Sequence, residues 1–292
     1  LLRPVVTLLD KKLGAGHRET LAARSALAFV LVQLEEFDEA ATLHRSVLKN
    51  SERVFGPESP EALYAREVLA STLSDHQEFA EAEAEYRKLL AVRERTLGPE
   101  DPATLGARRF VAFALGKQGR SAEAEVEFRQ LVGVCKRVLG ANHPQTLESR
   151  RNLAVAITSQ GRRQEAEREY RDVLKSCVKV YGADHTVTLQ TRDNLALCLA
   201  NQGKHEQAEQ EFRAVLGIRR RVFGTDHKAI FENRVLLASE LQAAGKYSAA
   251  EKEISIALTE AERLLAPDHP RTLDCHAKLA PSFFLQKKFP AA

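Results

Sequence analysis

Apolar residues return every three or four positions along most of the chain. Between residues 144 and 160, Leu147, Leu153, Ala154 and Ile157 fall on one stripe; between 163 and 180, Ala166, Tyr170, Val173 and Leu174 do the same. That period is helical. Gly161 separates the two stripes, and Gly140 and Gly182 bound the pair, as glycine does in the left-handed position past a helix end. His143-Pro144 leads into the first stripe. Proline suits a first helical turn, and Thr146 or the residues just before it can cap it. Residues 140–181 therefore predict a hairpin of helix A, to about Gln160, and helix B, from about Arg163 to Val180.

The hairpin recurs. Glycines stand at Gly14, Gly56, Gly98, Gly140, Gly182 and Gly224, 42 residues apart, with Ala266 in the seventh place. Alanines keep the same step from Ala28 to Ala280 and from Ala40 to Ala292, and arginines from Arg24 to Arg234. Self-similarity at such a period marks a repeat array. The expected organisation is one solenoid over 1–292. It has a partial repeat at 1–13, full repeats at 14–55, 56–97, 98–139, 140–181, 182–223 and 224–265, and a partial repeat at 266–292. Neither end carries the polar capping helix of a closed solenoid, which suggests a longer chain or disordered ends. Ala154 and Ala166 let the two helices of a hairpin approach closely, where a bulky residue would overpack. The aromatic of helix B (Tyr86, Phe128, Tyr170, Phe212) is expected to fill the space between hairpins.

Composition narrows the function. The 292 residues are 44% hydrophobic and 28% charged, with a formal charge of +3. That is ordinary soluble composition without the basic surplus of a nucleic-acid binder. No apolar run approaches the ~20 residues of a membrane span. Cys135, Cys177, Cys198 and Cys275 make no C-x-x-C pair. Cys135 and Cys177 occupy equivalent places on helices packed about 8–10 Å apart, beyond the ~7 Å reach of a disulfide. A reducing, cytoplasmic setting fits. No phosphate-binding glycine loop, G-x-S-x-G or H-E-x-x-H occurs, and the acidic residues repeat with the helix surface. A non-enzymatic chain without cofactor or metal is expected. His143, His185, His227 and His269 come one per repeat in loops and read as loop caps, not as the converging ligands of one ion.

The order leucine-small, alanine, aromatic (Leu153, Ala154, Ile157, Ala166, Tyr170) resembles the tetratricopeptide repeat, lengthened here from 34 to 42 residues. Leu139-Gly140, His143-Pro144, Thr146-Leu147, Asn152-Leu153-Ala154, Gln160-Gly161 and Glu165-Ala166-Glu167 resemble the repeats of kinesin light chains, including the bacterial kinesin light chains. The resemblance implies an all-α tetratricopeptide solenoid, a right-handed superhelix of antiparallel helix hairpins. It implies a scaffold or adaptor that holds a peptide or protein in its concave groove. Two alternatives come with it: association with tubulin-like filaments, as for the bacterial light chains, and service as the sensor arm of a larger nucleotide-switch or protease protein. The heptad coiled coil of the eukaryotic light chains is absent from this sequence, so motor attachment is not supported.

In that family one stripe of helix A lines the groove. In the fourth repeat it is Glu148, Arg151, Asn152, Val155, Thr158 and Ser159, spaced to share a helix face. Steps of 42 give Phe29 and Tyr64 in the first two repeats, Arg109, Phe110, Phe113 and Lys117 in the third, and Asn194 and Asn201 in the fifth. Tyr64, Phe110 and Phe113 suggest a pocket for an apolar anchor. Arg109, Lys117 and Arg151 suit acidic neighbours of that anchor, and Asn152 and Asn194 suit a peptide backbone. The expected ligand is an acidic segment with one bulky apolar residue. Phe110 and Phe113 also read as core residues of a locally shifted packing. The arginine ladder reads as stems packed on a neighbour and paired with helix B glutamates such as Glu81, Glu123 or Glu165, and Arg219-Arg220-Arg221 as a solvated face.

Overall fold

The computed structural model describes residues 2–224, 228–264 and 269–285, among which no strand occurs. His227, Ala266 and Ala292 lie outside them. Two compact bodies divide the chain, Leu1–Gln160 and Gly161–Ala292. The first holds α1 (Leu2–Leu13), α2 (Arg18–Gln33), α3 (Phe37–Phe55), α4 (Pro60–Asp75), α5 (Phe79–Leu97), α6 (Pro102–Lys117), α7 (Ser121–Val138) and α8 (Pro144–Ser159). The second holds α9 (Arg163–Tyr181), α10 (Thr186–Ala200), α11 (His205–Phe223), α12 (Lys228–Ala243), α13 (Tyr247–Leu264) and α14 (Pro270–Leu285). Even-numbered helices are the A helices of the repeat and odd-numbered ones the B helices. Within each body every helix packs on the next, and A helices also touch A helices: α6 meets α8, and α12 meets α14.

The loop histidines do cap helices. Nδ1 of His143 accepts from the N–H of Gln145 at 3.3 Å, and His185 does the same for Val187 at 3.2 Å. Ser59 and Asp101 hold the equivalent place in other repeats. Each satisfies one of the amides a helix start leaves unpaired. Thr146 is no cap. Its buried hydroxyl donates to the carbonyl of Gly140 at 2.8 Å, and Thr188 repeats the bond to Gly182. The threonine of the motif therefore ties the loop shut.

At the other end of each B helix the backbone is more extreme than a left-handed cap. Gly56 and Gly98 have φ of 93° and 92° with ψ of 153° and 162°, a region essentially reserved for glycine. The turn inside each hairpin also needs positive φ. Glycine supplies it at Gly119 and Gly161, but Glu35 and Gln77 sit there with φ of 63° and 66°.

Small residues seat the crossings. Ala112 and Ala124 are fully buried where α6 meets α7. The aromatics Tyr86, Phe128, Tyr170 and Phe212 are buried too. The arginine ladder pairs with helix B carboxylates one turn beyond those expected: Arg66 with Glu85, Arg108 with Glu127, Arg192 with Glu211 and Arg234 with Glu253. Glu81, Glu123 and Glu165 instead take Arg45, Arg120 and Arg162. All four cysteines are free and buried.

Candidate partner-binding groove

In the first body the A-helix stripe runs from apolar to charged. Phe29 of α2 and Tyr64 of α4 are exposed at 63% and 68%. On α6, Arg109 lays its guanidinium over the ring of Phe110 at 4.4 Å, and Lys117 places its ammonium 5.5 Å from the centre of Phe113. Arg109 also reaches Glu148 of α8, Nε to Oε2 3.4 Å. Phe110 is half-buried and stacks on Tyr86, ring centres 4.9 Å apart and 11° from parallel. Burial pushes the Tyr86 phenol up to about 12.

Arg109, Phe110 and Glu148 thus come together, and Phe113 and Lys117 form a second pair. Tyr64 stands in a different place, described below. Arg151 of α8 is half-buried, and Asn152 beside it is 8% exposed. In the second body Asn194 of α10 is half-buried. Asn201, just past the end of α10, lines a polar cleft with Arg162, Arg163 and Arg168.

One column of the repeat separates the third and fourth repeats from their neighbours. In the second repeat, Glu67 on helix A pairs with Arg93 on helix B at 2.7 Å. In the fifth, Asp193 and Arg219 repeat the pair at 2.6 Å, and Asn233 also donates to Asp193. Arg219 is therefore a core residue, not part of a solvated run; Arg221, two positions on, binds Asp184. In the third and fourth repeats the same column holds Arg109 and Arg151 on helix A, with Cys135 and Cys177 at the helix B position. The charge on helix A is reversed, and a cysteine stands where helix B carries arginine in the second and fifth repeats. Burial raises the Cys135 thiol; a hydrogen bond with Ser149 and the charges of Arg109 and Arg108 pull the other way.

A second network latches consecutive repeats. The side-chain amide of Gln118, just past α6, donates to Glu83 of α5 at 2.6 Å. Gln160 donates to Glu125 and Gln202 to Glu167 in the same manner, at 2.6 and 2.9 Å. These are the glutamine of the Q-G pair and the second glutamate of E-A-E. The sequence motif contains both residues but does not report their bond. Burial alone would raise Glu83. Hydrogen bonds from Gln118 and Arg87, with the charges of Arg87 and Arg120, outweigh it and hold the carboxyl below its ordinary value.

Tyr64 stands at the mouth of a cavity of about 530 Å³ among α2, α3 and α4. Leu21, His44, Val47, Ser51, Ala65 and Val68 give it a mostly apolar wall. His44 is 4% exposed, and its Nδ1 is 2.9 Å from the hydroxyl of Thr72. Burial pushes its imidazole pKa down. At the rim Arg18 binds Glu61 at 2.8 Å and lies over the ring of Phe55. The signal for this site was visible in one column: His44 stands where later repeats carry Tyr86, Phe128, Tyr170 and Phe212.

Comparison with known proteins agrees with this architecture. No curated protein matches the sequence. Solved structures match the fold. A putative kinesin light chain of Podospora anserina with nearly identical TPR-like repeats is 24% identical, covering 70% of this chain and 97% of that one, with a TM-score of 0.57. BtubC (BKLC) of P. vanneervenii is 17% identical over 93% of this chain and 94% of its own, TM-score 0.55. NprR in complex with its cognate peptide NprX is 14% identical over 99% and 79%, TM-score 0.58. The tetratricopeptide repeat profile matches residues 19–95, 103–177, 151–221 and 188–253. The chain belongs to the tetratricopeptide repeat family.

Proposed function

We propose that this chain is a non-catalytic scaffold or adaptor that holds an acidic partner segment along the A-helix stripe of its third and fourth repeats. The observation that carries this is the reversed charge column. Where flanking repeats place an acid on helix A and answer it with a helix B arginine, Arg109 and Arg151 replace the acid, and cysteines replace the arginine. A guanidinium can bind a carboxylate with two parallel hydrogen bonds. Glu148, at 3.4 Å from Arg109, is a loose partner that a ligand carboxylate can displace. Lys117 adds a third cation, and Asn152 is assigned to the ligand backbone. Phe29 and Tyr64 provide exposed apolar surface for an anchor residue. A structural neighbour, NprR, was solved with a peptide, which supports the same use of the fold here. Four free cysteines fit a reducing, cytoplasmic setting.

The test is fluorescence polarisation with labelled peptides that carry one aromatic residue among aspartates and glutamates. Arg109→Glu with Arg151→Glu is expected to abolish binding of those peptides. Unchanged affinity would overturn the reading. A second reading, association with tubulin-like filaments, draws on the likeness to BtubC (BKLC); co-sedimentation with such filaments at two salt concentrations tests it, since broad charged contacts weaken with salt.

A further inference from the structure

The join between the first and second repeats lacks the latch found farther along. At later joins one helix B glutamate receives two donors from the next hairpin. Glu83 takes the amide of Gln118 and the guanidinium of Arg120; Glu167 takes Gln202 and Lys204. Forty-two residues before Glu83, Gln118 and Arg120 stand Ala41, His76 and Glu78. The acceptor is gone, and an acid has replaced the cation. A second acid, Asp38, stands where the next two repeats carry Ala80 and Ala122.

These changes bring three ligand side chains together. Asp38 lies in the first turn of α3, His76 just past the end of α4, and Glu78 just before α5. One nitrogen of His76 and one oxygen of each acid lie within 4.8 Å of one another. Nδ1 of His76 is 3.1 Å from Glu78, and Nε2 is 3.9 Å from Asp38. Nδ1 is withdrawn from water, yet it makes no hydrogen bond. Phe37 stacks on the imidazole, ring centres 5.5 Å apart and 21° from parallel, which holds the ring in place. Arg45 reaches Glu78 only at 3.6 Å and binds Glu81 more closely, at 2.8 Å.

Imidazole with two carboxylates is a ligand set of the zinc type, whereas calcium and magnesium favour oxygen alone. Zinc holds nitrogen and oxygen at about 2.0–2.2 Å, so two atoms on one ion stand at most about 4.4 Å apart. The Asp38 side chain, 96% exposed, is free to close the small difference. The expectation of a metal-free chain rested on histidines that recur once per repeat, and His76 is outside that series.

We propose that Asp38, His76 and Glu78 bind a divalent transition-metal ion of the zinc class, which ties α3 to the α4–α5 turn in place of the missing cation. Water would fill the fourth position of the ion.

The test is calorimetric titration of the untagged chain, stripped with chelator, with zinc chloride. One saturable site is expected, with no binding of magnesium or calcium at the same concentrations. Zinc should also raise the melting temperature. His76→Gln restores the residue of the later joins and removes the nitrogen ligand. Loss of a mere supporting partner costs metal affinity about 10–100-fold, so loss of a ligand should weaken zinc at least about tenfold and abolish the rise in melting temperature. Circular dichroism checks folding, and Asp38→Ala, at an exposed position, takes the place of His76→Gln if that variant fails to fold. Cobalt(II) reports the ligand set: visible d–d bands without thiolate charge transfer are expected. No saturable zinc binding by the parent, unchanged affinity in the folded variant, or a cobalt–thiolate band overturns the proposal.

Discussion

Arg219 of α11 meets Asp193 of α10 at 2.6 Å with both side chains largely withdrawn from water. Burial raises the Asp193 carboxyl; the guanidinium of Arg219 and the amide of Asn233 oppose this. Such a pair adds little compared with well-packed apolar residues, but breaking it strands a charge. Arg219→Ala is expected to cost about 3–5 kcal/mol in denaturant unfolding. Removing both charges together, as Asp193→Leu with Arg219→Met, should recover most of that loss. A double variant as unstable as the single one would contradict the assignment.

The hairpin turns at Glu35 and Gln77 predict an easy gain. A side chain in left-handed backbone costs about 1–2 kcal/mol, and glycine gives back roughly 0.5–1 in unfolded-state entropy. Gln77→Gly, which copies Gly119, should therefore stabilise the chain by about 0.5–1 kcal/mol. Thermal melts of Gln77→Gly and Gln77→Ala decide it: the glycine variant should melt above the alanine variant.

The latch at Glu83 predicts acid sensitivity. Its carboxyl is held below the ordinary 4.5 in the folded state, as is Glu167 in the second body. The stability it contributes is present above that ordinary value and is lost as pH falls through the lowered folded value. Gln118→Leu removes one of the bonds that lower it. The variant should lose about 1–3 kcal/mol at neutral pH and show a shallower decline below pH 4.5 than the parent. Melting curves across that range read both effects.

His44 acts with the same direction at a higher pH. Its folded pKa lies below the ordinary 6.5 because burial disfavours the imidazolium. The unfolded chain therefore takes up a proton first, and stability falls as pH drops below that value. His44→Tyr should flatten the dependence between pH 7 and 5 relative to the parent. Parallel slopes would show that His44 does not titrate as described.

Periodicity gave the helices and, in the fourth repeat, where they stop and start, because each hairpin is held by residues close in sequence. Helix B of the fourth repeat, read as starting near Arg163, does start there. What escaped was set by crossing geometry. The arginine ladder reaches Glu85 and not Glu81 because the packing of helix A on helix B presents the next turn, and spacing alone does not report that. Tyr64 and Phe110 share a stripe yet serve different places, since Phe110 turns back onto Tyr86. Arg219 looked like one of three surface cations, but its column was the informative unit: Glu67 and Asp193 stand on helix A wherever helix B carries arginine. The cavity opens where His44 stands in the column that later repeats fill with Tyr86, Phe128, Tyr170 and Phe212, and a change of side chain in one column does not report a space.

That column has a further consequence for assembly. Forty-two-residue copies with nearly the same backbone can pair out of step while the chain folds, a hazard of repeat proteins. If α6 took the place that α4 holds beside α5, Arg93 would lie against Arg109 instead of Glu67. Two like charges, desolvated together, would reject the mispairing. The reversal that leaves the middle repeats cationic thus sets their hairpins apart from those on either side, so that an acid-bearing hairpin does not accept an A helix of the middle pair.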